Sequence, residues 1–144
     1  MRLLFLLSFL LLTLACGTPE TPGSPMPSEA RSAPPVSGTV VAEAQTEHSE
    51  DGLNQFTFRV TVTKAPQKGV YTVFAQDGPT EGETQFTLPK GAEDYRVVMR
   101  KGDRKNRMII GFEVPGDTAF YPYYEVVAEA KTIRAQYTNA YRFE

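Results

Sequence analysis

Residues 55–63 alternate strictly between large apolar and polar side chains. Phe56, Phe58, Val60 and Val62 share one face, and Thr57, Arg59, Thr61 and Thr63 share the other. That period of two marks a strand with one dry side and one wet side. The pattern returns near the end of the chain, where Ile133, Ala135, Tyr137, Tyr141 and Phe143 interleave with Thr132, Arg134, Gln136, Thr138 and Arg142. Shorter β-branched and aromatic runs lie around residues 40–44, 70–75, 84–88, 95–99, 108–114 and 123–130. Their punctuation is turn chemistry: Asp51-Gly52, Pro66 to Gly69, Asp77-Gly78-Pro79, Pro89-Lys90-Gly91, Lys101-Gly102-Asp103 and Pro115-Gly116-Asp117.

No ten-residue segment sustains a period of 3.6, so the expected helix content is near zero. Ala128-Glu129-Ala130-Lys131 has helical propensity, but its β-branched and aromatic flanks argue for strand. Eight short strands with frequent turns predict an all-β chain. The expected form is an antiparallel β-sandwich, immunoglobulin-like or transthyretin-like, with a small β-barrel as the alternative. A strict immunoglobulin domain would carry a Cys…Trp…Cys pattern, which the sequence does not have, and no internal repeat suggests a solenoid or propeller.

The periodicity covers only residues 38–144. Residues 1–15, MRLLFLLSFLLLTLA, place Arg2 before an apolar run of twelve residues with no polar face. Twelve is short of the ~20 needed to cross a bilayer as a helix and fits the apolar core of a secretory signal. Residues 17–37 contain six Pro among 21 residues, and Met26 and Val36 are the only sizeable apolar groups. Such a stretch cannot bury enough surface to offset its ordering entropy, which predicts a disordered tether. It would span about 25 Å as a coil and up to ~65 Å as polyproline II. The organisation expected is therefore a signal (1–15), Cys16 with the tether (16–37), and one β-sandwich domain (38–144).

Whole-chain composition adds exclusions. A length of 144 residues suits one domain, and a net charge of −2 offers no global basic field for nucleic acid, so no nucleic-acid partner is expected. One Cys and one His can supply neither an internal disulfide nor the three or four ligands of a zinc site. No cofactor or metal is expected. Removing the signal takes Arg2 with it, leaving 14 basic and 17 acidic side chains and a net charge of −3.

The single cysteine carries the one resemblance. Leu12-Thr13-Leu14-Ala15-Cys16-Gly17 resembles the lipobox of bacterial lipoproteins, in which a Leu-rich run ends in a small residue before the modified Cys. The likeness covers residues 1–17. The usual pattern has Leu three residues before the Cys and a small residue two before it, where this chain has Thr13 and Leu14. Thr13-Leu14-Ala15 also suits an ordinary signal peptidase. The resemblance implies that Cys16 becomes the acylated N-terminus. Several chains at ~0.8 kcal/mol per buried CH₂ would then give stable membrane anchoring. It also implies an outer-membrane location in a Gram-negative host, because Gly17 rather than Asp follows the Cys.

Three clusters carry candidate chemistry. His48, in Glu47-His48-Ser49-Glu50-Asp51, has the composition of a general base or lone ligand, but its position between two strands predicts a solvated loop residue. Arg96, Arg100, Lys101, Arg104, Lys105 and Arg107 place six cations within twelve residues, against Asp103 alone. With Gly102-Asp103 as the hairpin tip they would form a basic finger. It would contact the phosphates of lipopolysaccharide or an acidic polysaccharide, or simply protect an exposed edge. Phe120-Tyr121-Pro122-Tyr123-Tyr124 is the densest aromatic run. Strand alternation offers Tyr121 and Tyr123 as binding groups, or packs Phe120 and Tyr124 over the end of the core.

Together these features predict an exported, lipid-anchored envelope protein acting as a binding, assembly or structural module, with an envelope protein or glycan as partner. A small envelope hydrolase is the alternative class. Binding of an anionic glycan or lipopolysaccharide through the basic hairpin is the third.

Overall fold

The computed structural model describes residues 38–49 and 52–143. The expected signal, Cys16 and the tether lie outside the described residues. Eight strands follow in order: β1 (Thr39–Ser49), β2 (Gln55–Lys64), β3 (Val70–Asp77), β4 (Thr80–Thr87), β5 (Arg96–Lys101), β6 (Arg107–Glu113), β7 (Phe120–Glu129) and β8 (Thr132–Tyr137). They form two four-stranded antiparallel sheets, β1-β2-β3-β4 and β5-β6-β7-β8. Each sheet is a run of consecutive hairpins, so the chain passes between sheets once, through residues 88–95. This is the antiparallel β-sandwich that the periodicity predicts, reached without a Greek-key crossover.

The dry faces form its interior. Phe58, Val60 and Val62 of β2 and Met108, Ile110 and Phe112 of β6, all with no exposed surface, share one core with Tyr71, Val73, Ala75, Phe86, Leu88, Val97, Tyr123, Tyr124, Val126 and Ala128. Turn residues behave as their chemistry requires. Gly78 takes φ +53° at the first position of the two-residue β3–β4 turn, where an added Cβ would lie 2.6 Å from the Phe56 ring.

β7 departs from strict alternation. Tyr124 opposes Ile110 while Pro122 opposes Gly111, so Tyr123 is an extra, bulged residue. The bulge turns both Tyr123 and Tyr124 into the core, at 8% and 3% exposure. Strict alternation offers Tyr123 as a binding group on the face opposite Tyr124, and the bulge is why it is buried instead. Gly111 makes room for the distortion, since a Cβ there would sit 2.2 Å from the Tyr121 carbonyl oxygen and 2.6 Å from the Phe120 ring.

The last strand is shorter than its alternation predicts. β8 ends at Tyr137, and residues 138–143 run on past the bulge, with the Thr138 N–H donating to the Tyr123 carbonyl at 2.9 Å. The Pro122 carbonyl accepts hydrogen bonds from Asn139 Nδ2 and Tyr141 Oη, both at 2.9 Å. Tyr141 and Phe143 then pack edge-on against Phe112, with ring centroids 5.5 and 5.7 Å away. Phe112 becomes an aromatic hub that also touches Tyr95, Tyr121 and Tyr123. Each such pair contributes roughly 0.5–1.5 kcal/mol beyond its buried area.

Tyrosines also explain why the sheets meet at one edge without closing into a barrel. Where β4 approaches β8, the Thr87 N–H donates to Tyr137 Oη at 3.1 Å, and Tyr123 Oη donates to the Thr87 carbonyl at 3.0 Å. Side-chain hydroxyls satisfy the edge backbone at the point where a barrel would need a ladder.

Candidate functional site

One end of the sandwich gathers the close of β1, the β3–β4 turn and the β5–β6 turn. His48 lies within β1 instead of in a solvated loop. Ala42, Ala44, Thr46 and His48 occupy successive inward positions opposite Val62, Val60, Phe58 and Phe56. The ring therefore enters the end of the sandwich, where its side chain is 10% exposed. Nε2 lies 2.7 Å from Asp77 Oδ1, and the Asp77 side chain is 9% exposed. A carboxylate has no proton to give, so Nε2–H is the donor and the second ring nitrogen is left for other contacts.

The β5–β6 turn sits beside this pair and is held from several directions. Arg107 N–H donates to the Arg104 carbonyl at 3.1 Å, and Gly102 N–H to the Arg107 carbonyl at 2.8 Å. The tip is thus Lys105-Asn106, displaced from the Gly102-Asp103 position that the sequence suggests. Asn106 Nδ2 donates to the Ala128 carbonyl at 2.7 Å, while Ala128 N–H returns a bond to the Asn106 carbonyl at 2.9 Å. From the other sheet, Thr46 Oγ1 donates to the Lys105 carbonyl.

The six cations do not form one basic finger; their environments divide them. Arg96 reaches Glu113 across the β5–β6 pair at 3.4 Å. The Arg100 guanidinium lies 4.4 Å above the Phe120 ring, a cation–π contact that covers the ring over Gly111. Arg107 pairs with Glu125 at 2.6 Å and Asp103 at 2.9 Å. Asp103 and Glu125 together raise the Arg107 pKa, and Arg107 lowers that of Asp103. The Glu125 carboxyl lies below the usual range because the Gln136 amide donates to it and because Arg107 sits beside it.

Lys101, Arg104 and Lys105 differ from these. All three are exposed, and none has an ion-pair partner among the described residues. Arg104 and Lys105, with Asn106, His48 and Ser49, line an open depression of about 500 Å³. Ser49 is the residue after His48 on a strand, so its side chain leaves from the other face; its Oγ accepts the Gly52 N–H at 2.8 Å.

The aromatic candidates lie at the opposite end and serve packing. Tyr123 is a core residue bonded to Thr87. Tyr121 stacks on Phe112 at 5.8 Å and donates to Asp117 at 3.2 Å, a contact that raises its pKa. At that end too, Glu93 and Asp94 line a depression of about 340 Å³ with Lys64, Tyr71 and Arg96. Backbone N–H groups of Glu93 itself and of Gly91 lower the Glu93 pKa, whereas a catalytic general acid needs its pKa raised. Asp94 pairs with Lys68 at 2.7 Å.

Sequence reading did not pair His48 with Asp77, Arg107 with Glu125, or Asn106 with Ala128. The first had a faint signal in the i, i+2 spacing from Ala42 to His48. The others depend on strand register, which a single chain's residue pattern does not contain. Comparison of this chain with protein families, with curated proteins and with solved structures finds no match.

Proposed function

We propose that this chain is an exported, lipid-anchored envelope protein whose β-sandwich is a binding or assembly module, and that it recognises its partner at the end carrying the β5–β6 turn. One observation carries the recognition: a turn braced by Thr46, Asn106 and Ala128 presents Arg104 and Lys105 without an ion pair among the described residues. Exposed cations on a preset backbone lose less conformational entropy on meeting an anionic surface than cations on a flexible loop.

The anchoring rests on the likeness of residues 12–17 to a lipobox. Acylated Cys16 would tie the domain to the membrane through the Pro-rich segment, with an outer-membrane location in a Gram-negative host.

Two measurements test the two halves. Cys16→Ser should lose palmitate label and leave the membrane fraction; a labelled, membrane-bound variant overturns the anchor. A photo-crosslinking residue at position 105 should capture an envelope component that the same residue at Thr57, on the outer face of β2, does not. Equal capture at both positions overturns the assignment of recognition to the turn.

A further inference from the structure

We propose that the depression lined by His48, Ser49, Arg104, Lys105 and Asn106 binds a phosphate group, carried by an envelope lipid headgroup or free in solution. The proposal deepens the recognition reading for the same end of the sandwich and rests on it.

Charge is the first ground. Three carboxylates near this end are already engaged: Asp77 by His48, and Asp103 and Glu125 by Arg107. Glu47 points outward from β1, opposite Thr57. Among the described residues, then, Arg104 and Lys105 have no ion-pair partner and are open to an external anion, with Lys101 at the near end of β5 adding to the field.

Donor chemistry is the second ground. The lining offers a planar guanidinium from Arg104 and an ammonium from Lys105. A single bidentate Arg would satisfy a carboxylate's two oxygens, whereas a phosphate has oxygens enough to use Arg and Lys together.

Preorganisation is the third. The carbonyls of Lys105 and Asn106 are each tied to another strand, by Thr46 and by Ala128, so both cations start from a fixed backbone. The His48 ring is likewise held by Asp77. An open volume of about 500 Å³ also leaves room for the group that bears the phosphate.

The test uses the full mature chain in uncharged detergent micelles. The probes are inorganic phosphate, glucose 6-phosphate, and phosphatidic acid mixed into the micelle. Because the chain has one histidine, its ring gives a single set of NMR signals. Saturable shifts are expected in that ring and in the amides of residues 104–106. Arg104→Gln/Lys105→Gln should weaken binding about five- to tenfold, the scale for two exposed charge contacts. Arg96→Gln/Arg100→Gln should change it by less than about twofold, because those side chains already serve Glu113 and Phe120.

Tighter binding of phosphatidic acid than of the soluble probes assigns the phosphate to a lipid headgroup. Equal binding assigns it to a free or glycan-borne group. Absence of saturable shifts with all three probes overturns the proposal, as does equal weakening by the two double variants. If phosphate fails while position 105 still cross-links an envelope component, the phosphate assignment falls and the recognition reading stands. If both fail, both fall.

Discussion

Replacing His48 with Ala should destabilise the domain more than removing both members of the His48–Asp77 pair. The Asp77 side chain is 9% exposed, and its contact with His48 Nε2 is 2.7 Å long. Truncating the ring strands a largely buried carboxylate. Losing the partner of a buried group costs roughly 1–3 kcal/mol, rising to ~3–5 kcal/mol for a fully enclosed ion pair. The pair sits at the end of the sandwich, where water can relax around the stranded charge, so about 2 kcal/mol is the appropriate share. The ring also packs near Phe56, with centroids 6.1 Å apart, which adds roughly 0.5 kcal/mol. The total of about 2.5 kcal/mol, set against an unfolding entropy of ~0.22 kcal/mol/K for a domain of this length, corresponds to a fall in Tm of roughly 11 °C.

His48→Ala/Asp77→Ala removes the stranded charge as well and should cost only about 1–1.5 kcal/mol. Urea unfolding of the full mature chain and the three variants, followed by circular dichroism, gives all four corners of the cycle. A His48→Ala cost below about 0.5 kcal/mol would refute the reasoning, as would a double variant equal to the sum of the singles.

Two other outcomes follow from the same geometry. Gly111→Ala drives a Cβ to within 2.2 Å of the Tyr121 carbonyl, so urea unfolding should show a loss of about 2–3 kcal/mol; unchanged stability would mean that β7 is not bulged as described. Glu125 has a depressed folded pKa, so its contribution is present above the unfolded value of ~4.3 and is lost as pH falls through the lower folded value. Unfolding free energy measured from about pH 7 to pH 3 should therefore fall less steeply on the acid side in Glu125→Gln than in the parent, and identical slopes would remove Glu125 from the acid response.

How far the residue pattern reached can be seen strand by strand. β2 was legible because four apolar and four polar side chains alternate with no exception, and Gly and Pro marked most of the turns. β7 misled because a bulge resets the period at one residue, and Tyr123 looks the same in sequence whether it is paired or extra. Residues 138–143 keep a period of two yet leave the ladder, where Pro122 has no N–H to offer and its carbonyl is taken by the side chains of Asn139 and Tyr141. His48 was misread for a different reason. Its inward neighbours are Ala42, Ala44 and Thr46, too small to announce a buried face, and Glu47, Ser49 and the acids after them resemble a loop.

The basic segment shows what strand register adds to composition. Six cations in twelve residues invite a reading as one finger, but cross-strand neighbours divide them by use. Arg96 and Arg107 face carboxylates on neighbouring strands, and Arg100 covers an aromatic ring, so these three hold the outer face of the second sheet together. Lys101, Arg104 and Lys105 do none of this. Among the described residues they have no ion-pair partner, and the fold ties the turn to β1 and β7 through backbone carbonyls, where the charged side chains take no part. A turn that needed its cations for stability would bind them to its own carboxylates, as Arg107 is bound to Asp103 and Glu125. Arg104 and Lys105 are held by their backbones and, among the described residues, left without an ion pair, an arrangement that suits contact with something outside the chain.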